Sequence, residues 1–216
     1  PVDRSHWGLL PQTNHAYYDP STKQITFPAA ILQPPYFDPG ADAAANYGSI
    51  GATIGHEIGH GFDDQGRLYD ATGKLRDWWT PASAKAFGLH TVALGKQYDG
   101  YEPIPGVHIK GDLTMGENIG DLGGLEVAYA AYHRYVAKHG EPPVIGGLTG
   151  DQRFFIAYAY SWQTKQREGV TRAQLLTNPH SPANYRVNAV VRNMAELYRA
   201  FNVKPGDALY LPPEPR

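Results

Sequence analysis

His56-Glu57-Ile58-Gly59-His60 carries two imidazoles four positions apart, with a carboxylate between them. On a helix, at about 100° per residue, the two histidines stand about 40° apart and one turn along the axis. Both rings can then converge on one Zn²⁺ at about 2.0–2.1 Å. Glu57 lies about 60° beyond His60, within reach of a water held by the metal without being a ligand itself. A catalytic zinc needs a third protein ligand and an open fourth position. Glu117 and Asp121, in Gly116-Glu117-Asn118-Ile119-Gly120-Asp121, lie one helical turn apart on one face. Glu117 could be that ligand while Asp121 accepts a ring N–H from a ligating histidine and fixes its tautomer. The same two carboxylates also read as a solvated acidic face at a helix N-terminus, where negative charge is favoured. His180, in a loop stiffened by Pro179 and Pro182, could donate to the oxyanion of a tetrahedral intermediate, and Arg186 could clamp a substrate carbonyl.

Helices must position these groups. Ile50, Ile54 and Ile58 recur every four residues after Asn46, a plausible N-cap, so the motif helix has a polar catalytic face and an isoleucine face expected to enter the core. Gly51, Gly55 and Gly59 form a second row. Each glycine costs a helix about 1 kcal/mol relative to alanine, which suggests that another backbone packs closely there. Further helices are expected over 78–97, 117–138, 154–167 and 183–201, the last with Val187, Val190, Val191, Met194 and Leu197 on one face. Gln24-Ile25-Thr26-Phe27, ended by Pro28, reads as an edge strand. Residues 141–150 are linker-like, and no internal repeat divides the chain, so 1–216 is expected to be one domain.

Composition narrows the classes. The 216 residues hold 19 basic and 21 acidic side chains and a formal charge of -2, with no Lys/Arg run to track a phosphate backbone, so nucleic acid is a poor partner. With no cysteine there is neither a disulfide framework nor a thiolate site, and any metal must be held by His, Asp and Glu. No stretch approaches the roughly 18 apolar residues of a membrane span, and the first seven residues lack the basic-then-apolar order of a signal peptide.

The residues carry a family resemblance: His56 to Asp64 as His-Glu-Ile-Gly-His-Gly-Phe-Asp-Asp, Asp77-Trp78-Trp79, and Gly116 to Asp121. Pro1-Val2-Asp3-Arg4, Phe27-Pro28-Ala29, Ile31-Leu32-Gln33-Pro34-Pro35 and His180-Ser181-Pro182 with Arg186 extend it over nearly the whole chain. The sequence resembles the catalytic C-terminal part of the neprilysin-like zinc metallopeptidases, a gluzincin group that includes neprilysin and endothelin-converting enzyme. The resemblance implies a mainly α fold with a small β-sheet (α+β), of thermolysin-like zincin type. It implies one Zn²⁺ per chain on His56, His60 and Glu117, Glu57 as general base and Asp121 as the group orienting a ligand. It also implies His180 as transition-state donor and Arg186 as ligand of the substrate carbonyl.

In this family peptide substrates bind as an added strand along an Asn-Ala-aromatic-Tyr segment, which here is His15-Ala16-Tyr17-Tyr18, with His15 where the anchoring amide is expected. The primed-side pocket maps onto Ile31, Tyr36, Ala52, Thr53 and Trp162, with smaller side chains at Ala52 and Thr53 than neprilysin carries. The expected activity is endopeptidase cleavage of short peptides before bulky apolar residues. The alternative is a fragment that holds zinc and peptide without turnover, for want of the N-terminal capping part found in longer family members. That part is the further partner the resemblance implies. The absence of cysteines looks bacterial, and an exported location (periplasmic, envelope-associated or secreted) is expected, with cytoplasm kept open.

Overall fold

Asp42 starts the helical run that carries the two histidines. Its carboxylate accepts the amide of Ala45 at 2.9 Å, the interaction of an N-cap. In this computed structural model, which describes residues 3, 5 and 7–212, the run proceeds through α1 (Ala43–Asn46), a π turn (Tyr47–Gly51) and α2 (Ala52–Gly59), with His60 as C-cap. Pro1, Val2 and Arg4 of the opening motif lie outside the described residues. Asn46, expected as the cap, lies inside the run. Its side chain instead accepts the Asp38 N–H and donates to the Asp38 carbonyl.

A small hairpin precedes this run. β1 (Tyr17–Asp19) pairs antiparallel with β2 (Gln24–Thr26), placing Tyr17 opposite Thr26 and Tyr18 opposite Ile25. Among the described residues the sheet has these two strands and no more, so β1 keeps a free edge.

After the run come α3 (Pro81–Asp99), capped by the Thr80 hydroxyl with Pro81 in its first turn, and the long α4 (Met115–His139). Gly140, at φ +89°, follows the end of α4 in a conformation that L side chains rarely adopt. α2 lies antiparallel on α4 with Gly55 and Gly59 of the glycine row in the seam, whereas a Cβ on Gly51 would meet first Asn46 and Tyr47 of its own turn. A Cβ on Gly55 would stand 2.4 Å from the Gly124 carbonyl oxygen, and a Cβ on Gly124 would stand 2.4 Å from the His56 nitrogen. This overturns the expected isoleucine core. Ile50 is buried, but Ile54 and Ile58 are 39% and 46% exposed. The face without side chains is the one that can touch a second backbone, and it turns the isoleucines outward.

α5 (Gly150–Ser161) opens with a capping box between Thr149 and Gln152. It ends earlier than expected. α6 (Glu168–Thr177) was not anticipated, because it buries only Leu175 and so offers no apolar stripe to read. The expected final helix is two: α7 (Ala183–Val191) and α8 (Ala195–Phe201). Between them the Asn193 side chain donates to the Ala189 carbonyl, a local bond of the kind that competes with helix continuation. The apolar face survives the break. Val190, Val191, Met194 and Leu197 join Leu125, Ala128 and Tyr132 of α4 and Phe154, Phe155 and Tyr158 of α5 in the main core. A smaller cluster of Ala16, Ile31 and Ile50, with Tyr36 packed against it, lies beneath the hairpin side. Among the described residues no helix is long and apolar enough to cross a membrane.

Candidate active site

The α2–α4 seam brings the ligand candidates together. His56 Nε2 stands 3.2 Å from Glu117 Oε2 and His60 Nε2 3.7 Å from Glu117 Oε1, with one donor atom from each residue inside a 4.8 Å cluster. Tetrahedral zinc with bonds of about 2.0–2.1 Å needs its ligands roughly 3.3 Å apart, so the two imidazoles and the carboxylate fit that metal. The two rings meet edge to face with centroids 4.5 Å apart, which lets both aim Nε2 inward.

Each ring is held from behind. His56 Nδ1 faces Asp121 Oδ1 at 2.9 Å and His60 Nδ1 faces Asp63 Oδ2 at 2.7 Å. An ionised carboxylate only accepts, so both Nδ1 atoms carry a proton and Nε2 is the atom each ring would offer to a metal in exchange for any proton held there. Asp63 is itself fixed by the amides of Gln65 and Gly66, which donate to Oδ1. Sequence reasoning quoted Asp63 without giving it a role. Its signal is a carboxylate one turn beyond the second histidine.

Arg186, in the first turn of α7, binds Asp121 through two bonds of 2.7 Å and Glu117 through one of 3.1 Å, with its guanidinium over the Trp162 ring at 4.1 Å. Tyr158 donates its hydroxyl to the Arg186 carbonyl. The arginine expected to clamp substrate is thus also the buried cation that binds the carboxylates of the centre to the last helices.

His180 Nε2 lies 3.2 Å from Glu117 Oε2, the oxygen that His56 also faces, and its Nδ1 faces Asn178 Oδ1 at 2.8 Å. The same Asn178 oxygen accepts the His180 backbone N–H, which fixes the amide orientation and places the Nδ1 proton toward Asn178. Gln174 donates to the His180 carbonyl, and Ser181 donates to Asn118 of α4, so the loop is moored on two sides. Asn178 and Gln174 were missed because neither type signals chemistry on its own.

The fields follow from burial and pairing. Burial works against a charged His56, yet the bonds to Asp121 and Glu117 raise its pKa to about 9. Burial would raise Glu117, but His56 and Arg186 hold its carboxyl down at about 2. Asp121 is likewise buried and held below its ordinary value by Arg186 and His56. Glu57 is different. Burial raises its pKa, with the histidines only partly opposing, which is the environment of a group that must both take and return a proton. His180 is lowered, chiefly by burial.

All these groups line one cleft of about 660 Å³, together with His15, Ala16, Ile31, Tyr36, Ala52, Thr53 and Trp162. His15 is exposed at the cleft and Ala16 is buried where the chain enters β1.

A histidine pair on one helix, a carboxylate from an antiparallel helix and a carboxylate base beside them, in a mostly helical fold with a small sheet, define a zincin-type metallopeptidase centre. The chain belongs to peptidase family M13, whose model matches residues 15–216. It is 44% identical over 206 residues to neprilysin-11 of Caenorhabditis elegans, covering 92% of this chain and 24% of that protein. It is 40% identical over 209 residues to endothelin-converting enzyme 1 of Bos taurus, covering 96% and 28%. Among solved structures it is similar to the Mycobacterium tuberculosis zinc metalloprotease Zmp1 in complex with inhibitor, with TM-score 0.96 and 54% identity over all of this chain and 34% of that one. PepO from Lactobacillus rhamnosis gives TM-score 0.89 and 44% identity over 100% and 32%. The chain therefore spans about a quarter to a third of the length of these relatives.

Proposed function

We propose that residues 1–216 form the catalytic domain of a zinc-dependent endopeptidase that cuts short peptides on the N-terminal side of bulky apolar residues. The convergence of His56, His60 and Glu117, with buried Glu57 in the same cleft, carries this reading. One zinc held by those three side chains supplies Lewis acidity toward a peptide carbonyl and a water. Glu57 takes a proton from the attacking water and returns it to the leaving amine. Arg186, and His180 when its Nε2 as well as its Nδ1 carries a proton, donate toward the scissile carbonyl as negative charge builds on it, and Asp121 holds both His56 and Arg186 for that task. The free edge of β1, entered through His15 and Ala16, suits a substrate bound as an added strand. Ile31, Tyr36 and Trp162 supply apolar walls for the residue after the cut, and small Ala52 and Thr53 leave it room.

The alternative is a unit that binds zinc and peptide without turnover, and the observation behind it is that the relatives are about three to four times longer than this chain. On either reading an N-terminal portion of the kind that the longer relatives have room for would be a partner of this domain, and export from the cytoplasm fits the kinship with neprilysins and endothelin-converting enzymes. Incubating the chain with a mixed peptide pool, with and without a zinc chelator, and reading the products by mass spectrometry tests the function. Chelator-sensitive cuts before bulky apolar residues support it. A pool left intact favours the binding unit, and cuts mostly before charged residues refute the pocket assignment.

A further inference from the structure

The π turn just ahead of α2 diverts one backbone donor out of the helix and sets the Ser49 hydroxyl beside the same acceptor. Ile50 gives its backbone N–H to the Tyr36 carbonyl at 2.9 Å, and Ser49 Oγ stands 2.6 Å from the same oxygen and 2.8 Å from the Ala45 carbonyl. In a regular helix the Ile50 amide would be spent inside the helix. The wider turn frees it, a use of such turns that recurs near functional sites. Tyr36 has no regular secondary structure to hold it. It follows a turn in which its own N–H and that of Phe37 both bond the Gln33 carbonyl, and its carbonyl is secured by the π turn. The side chains repeat the connection. Ile50 packs with Ile31 and Ala16, and Tyr36 rests against that cluster. Ser49 is 4% exposed, lines the same cleft, and has no part in the metal centre.

We propose that Ser49 is a positioning residue for substrate selection, holding the Tyr36 carbonyl so that the Tyr36 ring sets the width of the apolar subsite. The proposal rests on the endopeptidase reading for its substrate class. The Ser49 hydroxyl is engaged by two backbone carbonyls. It acts through Tyr36, tying the pocket wall to the helix that carries His56 and His60, so the gap between wall and histidines is fixed by the roughly two helical turns from Ser49 to His56.

The test uses zinc-loaded chain and peptides that differ only in the residue after the scissile bond, alanine or phenylalanine. Ser49→Ala leaves zinc content and kcat on the alanine peptide unchanged, and lowers the phenylalanine-over-alanine preference in kcat/KM about fivefold, through KM, as expected for loss of one partly buried hydrogen bond. Ser49→Thr, which keeps a hydroxyl, retains the preference. In a Tyr36→Ala background, where the wall itself is gone, adding Ser49→Ala changes the preference no further. An unchanged preference in Ser49→Ala, or full additivity with Tyr36→Ala, overturns the proposal. If the parent chain cuts nothing, the endopeptidase reading fails while calorimetric binding of the same two peptides still decides this one. A preference in affinity that Ser49→Ala removes supports it, and a preference that persists, or none in the parent chain, overturns it.

Discussion

Gly55→Ala probes the joint on which the metal centre is built. The new methyl carbon would meet the Gly124 carbonyl oxygen at 2.4 Å and the Gly124 Cα at 2.8 Å, where ordinary contact begins at 3.4 Å. The deficit is about 1 Å, and because both partners are backbone, only separation of α2 from α4 relieves it. His56 and His60 ride on one helix and Glu117 on the other, whereas metal bonds tolerate about 0.2 Å. Overpacking costs about 1–3 kcal/mol and better helix propensity returns about 1 kcal/mol, so the chain is expected to stay folded. Zinc affinity is the sensitive readout. A fall on the order of 100-fold is expected in competition against a chromophoric chelator, the scale seen when ligand orientation is lost. Gly123→Ala on α4 is the control, because nothing lies within 4 Å of its added Cβ. It should raise Tm slightly and leave zinc affinity alone. Wild-type zinc binding by Gly55→Ala would refute the claim that the seam sets ligand spacing.

Glu57→Gln should keep zinc and lose about a hundred- to ten-thousand-fold in kcat, read by metal analysis and peptide turnover. Asp63→Ala should weaken zinc binding about 10–100-fold by releasing the His60 ring, and an unchanged affinity would remove Asp63 from the centre. Asn178→Leu frees the His180 ring and should lower kcat about tenfold or more with zinc content intact. The base must be ionised to act, and burial raises the Glu57 pKa, so kcat/KM should fall on the acid side with a midpoint above the ordinary glutamate value of 4.5. A midpoint at or below 4.5 would contradict that assignment.

What could be read in the sequence was local. His56 and His60 share a turn, and Glu117 and Asp121 share another, so helical spacing alone puts each pair on one face. The bond between His60 and Asp63 is also local but crosses a helix end, where spacing rules lapse. The isoleucine row shows the limit of periodicity. Repetition every four residues marks a helix with distinct sides, but it does not say which side finds a neighbour, and close backbone contact turned the glycines inward. Gly55 and Gly59 were read correctly as lying against another backbone, because their helix cost demanded a reason, but Gly51, read with them, meets first its own turn. α6 stayed hidden because it buries one leucine, and the α7–α8 break because the apolar face continues across it. The role of Asn178 depends on a hydrogen bond, and an asparagine beside a proline reads first as a turn.

Four carboxyl groups, on Glu57, Asp63, Glu117 and Asp121, line the cleft around the metal position, and among the described residues Arg186 is the one guanidinium lining it. Such a cleft repels the carbonyl oxygen of an approaching peptide until a divalent cation offsets the excess negative charge. Cation and peptide are then linked by a coupling free energy, and each must tighten the other's binding by the same factor. A chain with peptide bound would accordingly hold its zinc more tightly at equilibrium than an empty one, so that peptide supply itself protects the centre when zinc is scarce.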